Sequence, residues 1–409
     1  MSPPPKKLTI FSWSLYDFAN TIFSMNVISL YFALWVTVDK GGQDIFYSTA
    51  LSLSMLAVAL SVPVFGAISD NTGKRQGPLT VLTLLCVICT ALIGEVDNLW
   101  MGLFLFAIAN YCYQSALVFY NGMIPSVSQG THIGLVSGYG VALGYLGSIA
   151  GMLMVKPFVD ESGRSAAFFP TAMLVLLFAL PCFFFVKDPP KITVAKVQFK
   201  KAFLNIKETF SKLKSYKSLF KFIIIHFLVL DAVNTIIAFM SVYASKVIGL
   251  NGDEIMRFLI SSTVGAMVGS VIIGFLVKQK GTIWTYWLVL WLWIISLSLA
   301  TLSQSKTLFW CVGPMAGVGM GGVWVVSRAI LIELSPPEKL GEFFGFYGFA
   351  GKAASILGPM LWGSVVWALD STHTLKYRIA VSLLLCLVIA AASIFRNFNR
   401  NISLKKLNY

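Results

Sequence analysis

Long runs without charged side chains alternate with short basic segments along the whole chain. No Asp, Glu, Lys or Arg occurs in residues 45–69, 76–94 or 281–305, and each run approaches the roughly 20 residues that a membrane-spanning helix needs. Residues 98–155 also lack these charges, and Pro125, Gln129 and Gly130 interrupt them, which predicts a helical hairpin. Further apolar runs lie near 10–37, 165–186, 219–246, 254–277, 307–334, 341–369 and 376–395. The pattern predicts twelve transmembrane helices.

Composition agrees with lipid as the main solvent. Hydrophobic residues make up 57% of the 409 and charged residues 12%, whereas soluble proteins carry about 25% charged residues. A membrane-spanning chain must satisfy its backbone within helices or a closed barrel. Barrel strands alternate apolar and polar positions, but the apolar runs here are continuous. We therefore expect an all-α integral membrane protein.

The basic residues indicate the orientation. Most of the 31 Lys and Arg residues fall in segments that lie on one side if both termini are cytoplasmic. The net charge of +14 is then a topology signal, and no nucleic-acid partner is expected. Residues 1–7 lack the layout of a cleavable signal, so the first apolar helix is expected to remain as a span.

A long basic connection divides the chain in the middle. We expect an N-terminal six-helix bundle at 1–186, a cytoplasmic linker at 187–218 and a C-terminal six-helix bundle at 219–409. Apolar residues spaced four and three apart beside lysines predict an amphipathic helix in the linker, lying on the membrane surface: Phe199, Phe203, Ile206, Phe210 and Leu213. A simple solvated linker is the alternative.

Three matches between the halves indicate an internal duplication. Asp17, Asn20 and Thr21 form a D-x-x-N-T pattern that recurs 214 residues later at Asp231, Asn234 and Thr235. The second match pairs Gly66-x-x-x-Asp70-x-x-Gly73 with Gly274-x-x-x-Lys278-x-x-Gly281, and the third pairs Gly138, Gly144 and Gly151 with Gly345, Gly351 and Gly358. These two recur at offsets of 208 and 207. The prediction is two parallel, pseudo-symmetric bundles.

Four charged residues lie within predicted spans: Asp17, Asp231, Arg328 and Lys352. A charge at the centre of a membrane helix costs about 2.5–3.5 kcal/mol. These side chains should therefore face an interior, line water or pair, with Asp231–Arg328 the favoured pair. We interpret them as a polar cavity for substrate or a coupling proton; a structural ion pair is the alternative.

Further polar positions extend this candidate site. Asp, Asn and Thr at i, i+3 and i+4 share one helix face, so each half carries a polar stripe. Tyr120 and Asn121 on span four are added as substrate candidates, although Tyr120 is equally consistent with a ring at the membrane interface. No metal-ligand cluster, cofactor motif or nucleophile–base arrangement is recognisable, so no metal, cofactor or catalytic residue is expected.

The segment Gly66-Ala-Ile-Ser-Asp70-Asn-Thr-Gly73-Lys74-Arg75 resembles the loop signature of the major facilitator superfamily between spans two and three. The resemblance implies that the acid Asp70 caps span eleven and that a basic residue, Lys74 or Arg75, brackets a cytoplasmic gate. Gly66 and Gly73 complete this gating signature. Lys278 stands where the second copy would carry the acid, so the resemblance assigns that copy no gate.

Other segments are similar to the branch of that superfamily containing the autophagy-linked vacuolar amino-acid effluxer of fungi and its bacterial relatives. They include Ser12-Trp-Ser-Leu-Tyr16-Asp17-Phe-Ala-Asn20, Phe119-Tyr120-Asn121, Ser327-Arg328 and Glu342-Phe-Phe-Gly345. The resemblance implies a monomeric transporter of a bacterial inner membrane. It would move a small polar or zwitterionic solute, such as an amino acid, by proton-coupled alternating access, with spans one, four, seven and ten lining a central site.

Two rival functions stay open from the residues alone. A membrane-embedded lipid-modifying enzyme would need a nucleophile or an acid–base pair near the membrane surface, and none is recognisable. A channel or a scaffold that does not transport would leave solute flux insensitive to the proton gradient after Asp17→Asn.

Overall fold

A computed structural model describes residues 7–127, 133–188, 216–335 and 340–407. The described chain forms two compact units, unit 1 at Met1–Ile206 and unit 2 at Lys207–Tyr409. Within the described residues every regular element is helical. The all-α prediction is therefore confirmed. The predicted amphipathic helix of the linker lies outside the described residues.

Twelve long helices account for the predicted spans. Those of unit 1 are α1 Lys7–Asp39, α2 Asp44–Thr72, α3 Gln76–Ile93, α4 Leu99–Gly122, α5 Ile133–Ser162 and α6 Phe168–Phe185. Those of unit 2 are α7 Lys217–Lys246, α8 Gly252–Lys280, α9 Thr282–Leu302, α10 Lys306–Leu334, α11 Leu340–Ala368 and α12 Leu375–Leu407. All but α11 have a segment apolar enough to cross a membrane within the described residues, and α11 itself spans 29 residues.

Local sequence explains where several helices begin. Asn98 caps α4 by accepting from the backbone N–H of Trp100 at 2.9 Å, and Ser305 caps α10 in the same way. Asn251 and Glu254 form a reciprocal capping box at the start of α8. Such caps satisfy N–H groups that have no partner inside the helix.

The two units pair their helices in the same order. In unit 1, α1 packs on α5 and α6, α4 packs on α2 and α3, and α3 also packs on α6. In unit 2, α7 packs on α11 and α12, α10 packs on α8 and α9, and α9 also packs on α12. The predicted duplication is therefore visible as one packing plan used twice.

Glycines allow the closest helix contacts. A Cβ added at Gly147 of α5 would lie 2.8 Å from the Cα of Phe18 on α1, which fits the role of small residues between membrane helices. A second glycine contact, which the sequence did not indicate, joins α8 and α10. There a Cβ on Gly265 would lie 2.6 Å from the carbonyl oxygen of Pro314.

Helix α1 departs from the regular α-helix that the apolar run predicted. It contains π-helical segments at Ser24–Tyr31 and Trp35–Asp39. The N–H of Lys40 donates to the carbonyl of Trp35, five residues earlier, at 2.9 Å. Neighbouring helices contact the widened backbone. The hydroxyl of Tyr47 on α2 donates to the carbonyl of Ile28, and the side-chain amide of Asn26 donates to the carbonyl of Gly151 on α5.

Candidate functional site

In unit 1 the D-x-x-N-T stripe of α1 lies against the glycines of α5. The hydroxyl of Thr21 lies 2.6 Å from the carbonyl oxygen of Gly144, to which it can donate across the interface. Asp17 is partly exposed, and a Cβ on Gly140 would collide with its carboxylate. The absence of a side chain at Gly140 thus leaves room for the Asp17 carboxylate beside α5.

Aromatic rings surround the inner part of this stripe. Trp13 stacks on Tyr120 with ring centroids 4.5 Å apart, and Tyr16 also packs on Tyr120 and shares a 2.6 Å hydrogen bond with Thr83. Tyr120 is buried, its hydroxyl donates to the carbonyl of Trp13, and its side chain interacts with Asp17. The alternative of an interfacial ring for Tyr120 is therefore wrong, because the ring belongs to the packed interior of unit 1.

The two asparagines of unit 1 lie in different surroundings. Asn20 is buried, and its Nδ2 has no hydrogen-bond partner within the described residues. Asn121 is exposed at the end of α4. A buried amide donor without an acceptor costs about 1–3 kcal/mol, so the position of Asn20 is costly unless something else supplies an acceptor.

In unit 2 the equivalent stripe lies against α11. Asp231 is 2% exposed, and its Oδ1 accepts the backbone N–H of Gly358 at 2.7 Å. The hydroxyl of Thr235 donates to the carbonyl of Asp231, while Asn234 donates across the interface to the hydroxyl of Ser355 at 2.8 Å. All three polar side chains of this stripe therefore have partners.

These contacts fix the register of the duplication. Thr21 packs on Gly144 and Thr235 packs on Gly358, and both members of the second pair follow the first by 214 residues. The sequence match at offset 207 had aligned Gly144 with Gly351, which is two helical turns away from its spatial equivalent. The error arises because α5 and α11 carry glycines about every seven residues, so a two-turn slip still matches glycine with glycine.

The expected Asp231–Arg328 ion pair is wrong. Both residues belong to the described part of the chain, and no ion pair joins them there. Arg328 is exposed and interacts with Tyr347 and His226. The carboxylate instead finds a backbone donor, because Gly358 lets α11 approach α7 closely enough for its own N–H to reach.

Arg328 and Lys352 lie in different places in unit 2. Tyr347, the partner of Arg328, stacks on the fully buried ring of His226 at 4.1 Å and shares a 2.7 Å hydrogen bond with Ser327. Lys352 is partly buried on α11, less than two turns before Gly358. Both cations thus lie on helices of unit 2 that flank the Asp231 stripe.

The loop signature is organised within unit 1. Gly73 has φ +64°, a conformation that glycine adopts without strain, and Lys74 is exposed. The guanidinium of Arg75 donates to the carbonyl of Gly122 at the end of α4, where a cation is favoured by the helix dipole. Gly66 and Asp70 lie on α2, and the side chain of Asp70 is outside the described part, so its predicted capping role is untested.

Several functional positions were missed by sequence reasoning. Asp188 accepts the backbone N–H groups of Arg75 and Gln76 at 2.9 and 3.0 Å and so caps α3. In the sequence Asp188 begins an Asp-Pro-Pro breaker after α6, a pattern that ends a helix but does not indicate which backbone groups the carboxylate accepts. Gly358 and Ser355 carried no signal beyond glycine spacing, since a backbone N–H donor leaves no trace in residue type.

Comparison with known proteins agrees with this architecture. The sequence profile of the Major Facilitator Superfamily matches residues 17–359 and, in a second match, 256–401. The uncharacterized MFS-type transporter YxiO of Bacillus subtilis is 26% identical over 406 residues, covering 93% of each chain. Autophagy-related protein 22 of Kluyveromyces lactis is 21% identical over 413 residues, covering 95% of this chain and 80% of that protein.

Two solved structures share the fold. The nucleoside transporter NupG superposes with a TM-score of 0.75 at 15% identity, covering 96% of this chain and 99% of that one. A bacterial homolog of the human lysosomal transporter Spinster gives 0.78 at 13% identity, covering 98% of both chains. The matched family is one of transporters, which removes the lipid-modifying enzyme from the alternatives. With the family profile matched over most of its length, this multi-pass membrane chain belongs to the Major Facilitator Superfamily of transporters.

Proposed function

We propose that the protein is a proton-coupled secondary transporter of a small zwitterionic solute, such as an amino acid, working by alternating access. One observation carries the proposal: the two equivalent helices α1 and α7 place carboxylates, Asp17 and Asp231, at matched positions inside the membrane-spanning bundles. Ionisable groups in such positions are costly and mark substrate or proton pathways.

The two carboxylates differ in ways that support different roles. Asp17 is partly exposed and shares a helix face with Asn20, whose buried Nδ2 has no hydrogen-bond partner in the described part of the chain. A solute amine would add a cation to the partly exposed Asp17 carboxylate, which already interacts with Tyr120, and a solute oxygen would satisfy Nδ2 of Asn20. We assign the solute amine to Asp17, with Asn20 and Thr21 on the same helix face. Tyr120, on α4, positions the carboxylate of Asp17.

Asp231 is the better candidate for the coupling proton. It is buried, and its carboxylate is engaged by a backbone N–H rather than by a cation. Such a group can take up and release a proton without losing a fixed ion-pair partner. Asn234 and Thr235 support it from the same helix.

Positive charge for the solute carboxylate is assigned to Arg328 and Lys352. An Arg guanidinium presents a fork that matches a carboxylate, and the exposed Arg328 is available for such a contact. Acidic and basic side chains both occur within the spans, which suits a zwitterion, and the resemblance to the autophagy-linked branch favours an amino acid.

The signature between α2 and α3 is assigned to gating. Arg75 and Asp188 tie the start of α3 to the ends of α4 and α6, so these contacts anchor the loop within unit 1. We propose that Gly66, Asp70, Gly73, Lys74 and Arg75 form the cytoplasmic gate of a monomer. Both termini would be cytoplasmic in a bacterial inner membrane, in line with the basic bias of the loops.

Counterflow in proteoliposomes tests this proposal. Vesicles preloaded with each of a panel of amino acids and organic anions would be diluted into trace labelled solute. We expect an amino acid to exchange in wild type, and we expect Asp17→Asn to weaken that exchange. Exchange of an anion but no amino acid would overturn the amino-acid assignment, and no exchange with any solute would favour a scaffold.

A further inference from the structure

An unusual hydrogen bond crosses from α7 to the middle of α11. The acceptor is Oδ1 of Asp231 and the donor is the backbone N–H of Gly358, at 2.7 Å in a buried position. Gly358 lies well inside α11, which runs from Leu340 to Ala368. A side chain that accepts from a helix backbone N–H normally does so at the start of the helix. Here the acceptor meets an N–H in the interior of α11, so the helix resembles a helix start at this position.

Pro359 explains why α11 is weak at this position. It lies inside the helix immediately after Gly358. Proline has no N–H, and its ring conflicts with the carbonyl one turn earlier, so the helix loses a hydrogen bond and tends to bend there. The Asp231 carboxylate therefore binds α11 beside the position where the helix lacks one of its own backbone hydrogen bonds.

The fit around Gly358 leaves no room for a side chain unless α7 or α11 shifts. A Cβ at this position would lie 2.7 Å from the carbonyl oxygen of Asp231 and 3.0 Å from its Oδ1, and it would collide with the hydroxyl of Thr235. One turn away, Asn234 donates to Ser355 at 2.8 Å. Two polar contacts thus fasten the same segment of α11 to α7.

Charged side chains on the helices around α7 have other positions or partners. Arg328 on α10 is hydrogen-bonded to Tyr347, and Arg378 on α12 donates to the carbonyls of Thr301 and Ser303. Charged groups of α8 and α10 that lie near their ends are Asp253, Glu254, Arg257, Lys278, Lys280, Lys306 and Glu333. Lys352, on α11 itself, precedes Gly358 by six residues. The Asp231 carboxylate receives its hydrogen bond from the backbone N–H of Gly358.

We propose that Asp231, Gly358 and Pro359 form a proton-sensitive latch that holds α11 against α7 while the carboxylate is ionised and loosens α11 when it is protonated. The inference rests on the proposed role of Asp231 as the proton site and adds what the proton would do. Hydrogen bonds to an ionised acceptor are roughly twice as strong as those between neutral groups. Proton uptake at Asp231 therefore weakens the bond to Gly358 at the point where Pro359 has already weakened the helix.

Hydrogen–deuterium exchange of the full chain in lipid nanodiscs, without solute, tests the latch. The readout is the exchange of peptides covering 353–365 relative to peptides from α9, which corrects for the intrinsic effect of pH. In wild type we expect protection of 353–365 at high pH and exchange on the order of tenfold faster at low pH. Asp231→Asn, which keeps the size and removes the charge, should show the fast rate at every pH.

Asp17→Asn is the matched control, because it makes the same change at the equivalent position of unit 1 and should leave 353–365 unchanged. Pro359→Ala restores a backbone donor and should slow the exchange at low pH. Unchanged exchange of 353–365 in Asp231→Asn would overturn the latch even if transport were lost, which would leave the proposed function intact. If Asp231→Asn instead speeds hydrogen–deuterium exchange of 353–365 but keeps normal proton-driven uptake, the latch is retained and Asp231 is not the site of proton coupling.

Discussion

The α1–α5 and α7–α11 interfaces carry the same D-x-x-N-T motif and use it differently. In unit 1, Thr21 makes the bond across the interface, Asp17 stays partly exposed, and Nδ2 of Asn20 has no hydrogen-bond partner among the described residues. In unit 2, Asp231 and Asn234 make the bonds across the interface, and Thr235 bonds only within its own helix. One copy thus leaves the donor of its asparagine without an acceptor in the described part of the chain, whereas the other copy uses its aspartate and asparagine for helix packing.

This difference indicates how a duplicated transporter can divide its tasks. The buried Nδ2 of Asn20 in unit 1 suits a group that must meet a solute, because a solute oxygen would supply the acceptor that the described residues do not give it. Internally satisfied groups in unit 2 suit a coupling element, because a change of charge there alters helix packing directly. Helix α1 is also π-helical at Ser24–Tyr31 whereas α7 is α-helical throughout Lys217–Lys246, so the two copies differ in backbone as well.

The largest contrast is expected from alanine at the equivalent glycines. Gly358→Ala puts a methyl 2.7 Å from the carbonyl oxygen of Asp231, whereas the nearest atom to a Cβ on Gly144 is Cγ2 of Thr21 at 3.2 Å. We expect Gly358→Ala to destabilise the protein by about 3 kcal/mol and Gly144→Ala by less than about 1 kcal/mol. Thermal unfolding in detergent, followed by tryptophan fluorescence, measures both. Equal losses would remove the distinction between the interfaces.

Neutralising each carboxylate should next separate solute binding from the rest of the cycle. Asp17→Asn is expected to raise the half-saturation concentration for exchange about tenfold, since a charge-assisted contact to the solute amine is lost. Asp231→Asn should change the half-saturation concentration less than about twofold. The check is counterflow with the amino acid that exchanges best in wild type. A larger loss of affinity in Asp231→Asn would reverse the assigned roles.

The asparagines provide a smaller contrast. Asn234→Ala removes the 2.8 Å bond to Ser355 and should cost about 1 kcal/mol. Asn20→Ala removes a buried donor that has no partner, so the solute-free protein should lose less than about 0.5 kcal/mol. Thermal unfolding with and without the exchanged amino acid measures both, and Asn20→Ala should abolish the solute-induced rise in midpoint. A persistent rise would show that Asn20 does not meet the solute.

The smallest contrast is expected at the threonines. Thr21→Val loses the 2.6 Å contact with the carbonyl of Gly144, at about 1 kcal/mol. Thr235→Val loses only a bond within α7, at about 0.3 kcal/mol. Unfolding midpoints of the two variants, compared with wild type in the same detergent, order them. The reverse order would mean that the register assigned to the duplication is incorrect.

Much of the fold followed from charge spacing, because a lipid-spanning helix must exclude charges over a fixed length. The hairpin in 98–155 is an example, since Pro125 marked the end of α4 within a few residues. Asp17 and Asp231 could be identified for the same reason, as a buried charge in a membrane span stands out in the sequence.

The partners of those charges could not be identified from residue type. The guess that Asp231 pairs with Arg328 assumed that a carboxylate needs a cation, but a backbone N–H exposed by a glycine serves instead. The register of the duplication was misjudged because glycines recur every two turns on α5 and α11. The π-helical segments of α1 depend on Tyr47 and Gly151 of other helices, so no local pattern in α1 predicts them.

The most direct test of the account is solute-evoked proton movement in proteoliposomes containing a pH-sensitive dye. With no imposed gradient, adding the exchanged amino acid outside wild-type vesicles should change the internal pH. Asp231→Asn should carry out exchange without any such change. A wild-type protein that moves the solute with no accompanying proton, or an Asp231→Asn variant that moves protons as wild type does, would contradict the account.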